Sequence, residues 1–181
     1  VAEKRIFETG ERRVDAVEVN AAMIRMTRAQ GGFAGHVYDR PEVAVHESEA
    51  RRFVRDTRDT WQLVSLSLMQ TETAVDRGNT GFQSWVFTAE SVGEYLDRLT
   101  PGGVLAIVQN TQPVAARTLA TVQAAFGRRG LDPAEAIDRT AVFGLADEVE
   151  NPFAWLVVVG RDPLSEQARE ALLREGAATG V

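Results

Sequence analysis

Two carboxylates follow two short apolar runs: Glu18 closes "VDAVE", and Glu49 comes directly after "VAVHES". In doubly wound α/β folds, an acid at the end of the second strand accepts hydrogen bonds from ribose hydroxyls, about 20 residues after a Gly-rich turn begins. Glu18 fits that place. It fits equally well as a solvated acid at a strand end, and the local pattern does not choose between the two. The remaining chemistry-bearing residues are few. His46 lies within an alternating strand pattern, where a histidine is usually structural, and His36 lies in a Gly-rich loop without an acidic neighbour pattern. Glu72 and Asp76 lie in a long aperiodic stretch. Trp61 and Trp155 read as core aromatics, and Trp85 borders that stretch.

The elements that must position these residues can be read from periodicity and punctuation. Residues 2 to 9 suggest a short helix stopped by Gly10, and Val14 to Val19 a strand. Asn20 is a good N-cap for a helix with Ala22, Met23, Met26 and Ala29 inward, ending at Gly31-Gly32. "EVAVHE" alternates as a strand, and "SEARRFVRD" suggests a helix capped by Ser48 and anchored by Phe53 and Val54. "WQLVSLSL" predicts a strand buried on both faces near the sheet centre. Met69 to Ser84 has no periodicity and is a candidate lid. Thr88 caps a helix with Val92, Tyr95, Leu96 and Leu99 at helical spacing, stopped by Pro101-Gly102-Gly103. "VLAIVQ" is the next strand, Val114 to Phe126 the next helix with Leu119, Val122 and Phe126 inward, and Asp132-Pro133 opens a short one. Ser165 caps a last helix through Arg174, followed by a frayed tail.

Between "TAVFGL" and "FAWLVVVG" stand only the seven residues Ala146 to Pro152. A helical crossover does not fit, so these strands are predicted to be antiparallel neighbours. An antiparallel strand closing a mostly parallel sheet indicates a Rossmann-like α/β fold of the class I methyltransferase type. One domain over residues 1–181 is the expectation for this length. Counting back from Glu18, the Gly-rich turn and the first strand would fall before Val1. A sheet lacking its first strand is therefore expected, and with it weak nucleoside binding.

Composition excludes several classes of function. A net charge of -6 without a basic, aromatic-interleaved cluster argues against nucleic acid as a partner. With no cysteine and two histidines, neither a disulfide framework nor a thiolate metal site can form, and no metal is expected. No apolar run reaches the roughly 18 to 20 residues of a membrane helix, so this segment is expected to be cytoplasmic and free of membrane contact.

"VDAVEVNAAMI", "VAVHESEARRFV", "WQLVSLSL" and "WVFTAESVGEYLDRLTPGGVLAIV" resemble, in order and spacing, spermidine synthase-like proteins of the class I S-adenosylmethionine-dependent fold. The resemblance covers Val1 to about Gln109. Phe87 stands where the family usually has tyrosine. The resemblance implies S-adenosylmethionine or its decarboxylated form as cofactor, a small-molecule substrate and a homodimer. It implies a cofactor-binding set of Glu18 on the ribose, Glu49 on the adenine amino group, Ala50 against the adenine face, and Ser67. Glu49 replaces the family's aspartate and reaches one methylene further. The family carries carboxylates where this chain has Gln62, Ser67 and Gln70, so the base that would deprotonate an attacking amine is missing. Two functions follow: a transferase acting at a sulfonium-bound carbon, or a non-catalytic nucleoside- or polyamine-binding module. The resemblance extends to proteins whose soluble part is joined to membrane segments.

Overall fold

Valines at alternate positions in "VDAVE" and "VAVHE" favour extended backbone, because β-branched side chains pack well on a pleated surface. In the computed structural model, which describes residues 13–67, 85–144 and 155–179, these segments are β1 (Val14–Glu18) and β2 (Val43–Glu47). They pair in parallel register from Val14 opposite Val43 to Glu18 opposite Glu47. The chain divides into two compact units, Val1–Thr57 and Arg58–Val181, and this pair is the sheet of the first.

Asn20 begins α1 (Ala21–Ala29) as expected, its side chain accepting from the Ala22 amide at 2.9 Å. The inward face is different. Ile24 is the buried residue, flanked by half-buried Ala21 and Thr27, while Met23 and Met26 are 44% and 49% exposed. Two apolar stripes about 100° apart both satisfy the helical period, and the path of the chain out of β1 selects the one containing Ile24. Beyond α1 the chain turns so tightly that a Cβ on Gly31 would stand 2.6 Å from His36 Nδ1, and a short 3₁₀ turn (Val37–Asp39) leads into β2. Helix α2 (Ala50–Asp56) is capped by Glu49 rather than Ser48, and its anchor Val54 is buried.

The second unit contains β3 (Trp61–Leu66), α3 (Ala89–Asp97), β4 (Leu99–Gln109), α4 (Gln112–Gly127), α5 (Pro133–Asp138), β5 (Thr140–Gly144), β6 (Trp155–Gly160) and α6 (Glu166–Thr179). Its sheet has the order β3-β4-β6-β5. Strands β3 and β4 are parallel, and β6 is antiparallel to both β4 and β5. The antiparallel pair predicted from the short connection is therefore present, with β6 inserted between β4 and β5. β3 differs from expectation: it ends the order of its sheet, and Gln62, Leu63 and Ser65 are exposed.

Alternation along β4 locates the core. Leu105 and Ile107 point to one face with Val157 and Val159 of β6, all fully buried. Gln109 shares that face and donates to Thr118 Oγ1 of α4 at 2.9 Å, which places α4 over it. Val92, Tyr95 and Leu96 of α3 and Val122 and Phe126 of α4 complete this core, whereas Leu119 is only half-buried. Thr88 and Ser91 form a capping box at the start of α3, and the Ser91 hydroxyl and Tyr95 phenol both donate to the Val86 carbonyl. Helix α3 stops at Asp97, before the Pro-Gly-Gly, and Leu99 to Gly103 are already strand. The Gly102 amide donates to Asp162, and Arg161 reaches the Leu99 carbonyl. Asp132 caps α5 in a second capping box with Glu135, as its Asp-Pro start predicts. Ser165 accepts from the Ala168 amide, and α6 continues past Arg174 to Thr179 where a frayed tail was expected. The expected helix at 2 to 9 and the candidate lid, with Gln70, Glu72 and Asp76, lie outside the described residues. Among the described residues no helix is long and apolar enough to cross a membrane.

Candidate functional site

Parallel strands end on the same edge, and this geometry brings the predicted acids together. The Ser48 amide donates to the Glu18 carbonyl at 3.2 Å, continuing the β1–β2 ladder one residue past its last pair. Glu18 thus stands on the carboxyl edge beside the turn that carries Glu49 and Ala50. Glu18 is half-buried, and its Oε1 accepts from the Asn20 amide at 2.7 Å. That bond fixes the carboxylate at the N-terminus of α1 and leaves Oε2 to accept from another donor. Oriented carboxylates of this kind take a diol through paired hydrogen bonds.

Glu49 is differently engaged. Its Oε1 accepts from the Arg51 amide and its Oε2 from the Arg52 amide, both at 2.8 Å. Both oxygens satisfy donors that the first turn of a helix otherwise leaves open. Its structure is that of a helix cap. Ala50, the first residue of α2, is half-buried. Ser67 belongs to the second unit, where it is exposed directly after β3 on the carboxyl edge of the β3–β4 pair.

A polar cluster around the buried carboxylate of Asp15 in the first unit was not read from the sequence. The Asp15 carboxylate is 2% exposed; His46 Nε2 lies 2.8 Å from its Oδ1, and Arg13 Nε 3.1 Å from its Oδ2. The His46 ring packs on Phe53 of α2 with centroids 4.5 Å apart. Such an arrangement pairs a buried charge and ties β1 to β2 beneath α2, in keeping with a structural role for His46. Alternation places Asp15 and His46 on one face of the pair, but nothing local signals a partner 31 residues away. His36, in left-handed backbone, faces exposed Asp39 at 3.3 Å. Trp85 is exposed, while Trp61 and Trp155 are half-buried.

No family model matches the sequence, and no curated protein matches it. Solved structures do. A spermidine synthase in complex with the transition-state analogue AdoDATO superposes with a TM-score of 0.56 at 12% identity, over 84% of this chain and 46% of that one. Spermidine synthase from Thermotoga maritima gives 0.59 at 13% identity with the same coverage. The N-methyltransferase NodS from Bradyrhizobium japonicum gives 0.51 at 9% identity, over 83% of this chain and 74% of that one. The chain thus spans less than half the length of these spermidine synthases. The mixed, mostly parallel strands and the six helices among the described residues have the Rossmann-like class I methyltransferase fold.

Proposed function

We propose that this chain holds the nucleoside of an S-adenosylmethionine-type donor and serves a spermidine synthase-like transferase acting on an amine or another small acceptor. The observation that carries the reading is the edge of the β1–β2 pair, where Glu18 keeps one carboxylate oxygen bound by Asn20 and the other open. The open oxygen suits a ribose hydroxyl. A sulfonium donor, when bound, supplies an electrophilic carbon. The chain's own part is to hold the nucleoside and orient it, and positioning with exclusion of water can lower a displacement barrier without a strong base.

A second reading is favoured by two specific features. Glu49 is committed to its helix, and Ser67 at the exit of β3 and Gln62 near its start stand where the resemblance implies carboxylates. Both suit a non-catalytic nucleoside- or polyamine-binding module, such as a soluble part of a larger, membrane-attached protein.

Calorimetry with S-adenosylmethionine, its decarboxylated form, methylthioadenosine and putrescine tests both. With Glu49 engaged elsewhere, weak nucleoside binding is expected. Glu18→Gln keeps an acceptor for Asn20 and removes the charge; a hydrogen bond to a charged group contributes roughly 1.5 to 3 kcal/mol, so affinity should fall about tenfold to hundredfold. Equal nucleoside affinity in the two proteins would overturn the assignment of Glu18. Putrescine binding without nucleoside binding would favour the polyamine module.

A further inference from the structure

Arg139 follows the last residue of α5 and leads into β5. Its carbonyl accepts from the Gly160 amide at 2.7 Å, and the chain beyond Gly160 returns so that the Leu164 amide donates to the Asp138 carbonyl at 2.9 Å. At this crossing the Arg139 side chain is half-buried, and its Nε and Nη1 are enclosed without an acceptor. Nη2 is the guanidinium nitrogen that is not enclosed. The acceptors nearby are already engaged. The Asp138 carbonyl also takes Arg169 Nη2 at 2.6 Å, and Arg169 donates further to the carbonyls of Ile137, Leu164 and Thr140. The Ala136 carbonyl takes the Thr140 hydroxyl at 2.8 Å and the Arg139 amide at 3.3 Å. Among the acids, Glu135 accepts from the Asp132 amide and Asp162 from that of Gly102, while Asp138 is exposed. Arg139 and Arg169 thus bring two positive charges to the end of α5, and among the described residues no carboxylate pairs with either.

We propose that Arg139 is the cationic floor of a site for a small oxyanion, the phosphate or carboxylate group of a small molecule, which reaches the guanidinium at Nη2. A guanidinium cannot neutralise itself by losing a proton, so its partial burial calls for an acceptor. Native proteins pair nearly all such donors, with water or an ion where no protein group serves. Here the protein closes over Nε and Nη1 and supplies no acceptor. The charge is therefore little screened on those sides, and the low local dielectric strengthens its attraction for an anion at the open nitrogen. Arg169 adds a second positive charge, which repels a cation. The class of ligand follows from the donor, because guanidinium hydrogen bonds to phosphate and carboxylate oxygens are charge-assisted. With two of three nitrogens covered, the ligand meets one edge of the group, so the affinity is modest, with Kd on the order of 1 mM. The inference does not rest on nucleoside binding at Glu18, which belongs to the first unit.

Thermal unfolding in inorganic phosphate, and separately in acetate, at constant ionic strength tests it. About 10 mM of the bound anion should raise the wild-type Tm by about 3 to 5 °C, and the rise should saturate. Arg139→Met replaces the cation by an apolar chain. It should abolish the rise, and in a buffer without oxyanion it should melt at or above wild type, because it removes a partly buried charge that has no partner. Arg117→Met, on the exposed surface of α4, should keep the full rise, which separates a site from the general stabilising effect of the salt. A saturating response to phosphate alone, to acetate alone or to both supports the site and names the group it takes. Equal rises in wild type and Arg139→Met, no rise with either anion, or an Arg139→Met protein that melts below wild type without oxyanion would each overturn the proposal.

Discussion

Glu18 and Ser48 are joined across the edge of the first sheet, the Ser48 amide donating to the Glu18 carbonyl at 3.2 Å. Through this one bond, acids that are 31 residues apart in the chain come to share a strand edge. The edge separates their roles. Glu18 retains an open carboxylate oxygen, whereas Glu49 spends both of its oxygens on α2.

Glu49 is therefore expected to behave as a cap. Glu49→Ala should destabilise the protein by about 1 kcal/mol, the usual loss when an N-cap acceptor is removed. Glu49→Asp, with a favoured capping side chain, should remain within about 0.5 kcal/mol of wild type. Urea denaturation gives both values. If Glu49→Ala leaves stability unchanged and weakens nucleoside binding, the cap assignment is wrong and the adenine contact is supported.

Glu90 gives the chain an acid-sensitive contact. The Arg128 guanidinium, first, then its own backbone amide and the Thr88 hydroxyl hold its carboxyl down from 4.5 to about 2. A carboxyl depressed in the folded state contributes stability that is fully present above its unfolded pKa and lost as pH falls through the folded one. The window thus runs from about 4.5 down to about 2. Glu90→Gln should reduce the melting temperature at neutral pH, and its difference from wild type should shrink through that window. Both side chains are more than half exposed, so added salt should also shrink the difference. A difference independent of pH from 6 to about 2 would refute the contact.

Local signals set most element identities, and long-range packing decided the rest. The β5–β6 pairing was legible because a short connection forbids a crossover, and the caps at Asn20, Thr88 and Asp132 were legible because capping chemistry is local. Met23 and Ile24 show where legibility ended. Both stripes of α1 obey the same period, and only the direction in which the chain leaves β1 separates them. β3 misled for a similar reason, since Leu63 and Val64 are equally apolar and nothing in "WQLVSL" states which neighbours lie over each face. Of the candidate site, the place of Glu18 was legible. The commitment of Glu49 to α2 was not, because Ser48 is the better cap by type and the backbone set the cap one residue later. The Asp15–His46 pair depends on the β1–β2 register, which no single strand encodes.

Gly144 and Trp155 face each other across β5 and β6, and a Cβ at 144 would stand 2.8 Å from the Trp155 ring. The obstacle is a broad ring rather than the tip of a flexible chain. Gly144→Ala should therefore cost about 1 to 3 kcal/mol, typical of overpacking, and alter the near-ultraviolet circular dichroism of Trp155. A denaturation midpoint and aromatic spectrum identical to wild type would show that the ring is not seated over Gly144.

The chemistry at the end of β3 bears most directly on catalysis. Aminopropyl transfer requires an amine freed of its proton, and a positioned carboxylate is the usual base. Here Ser67, at the exit of β3, and Gln62, near its start, stand where the resemblance to spermidine synthases implies carboxylates, and both are exposed. Neither amide nor hydroxyl accepts a proton from an ammonium near neutral pH. We therefore expect no spermidine from decarboxylated S-adenosylmethionine and putrescine, even where calorimetry shows that the nucleoside binds. Measuring binding and turnover on the same preparation separates a missing base from a missing ligand. Turnover at an enzymatic rate, on the order of 1 per second or more, would refute the expectation. Substitution of Glu72 and Asp76 by their amides would then identify the substitute base: loss of turnover with nucleoside affinity retained is the result that assigns it.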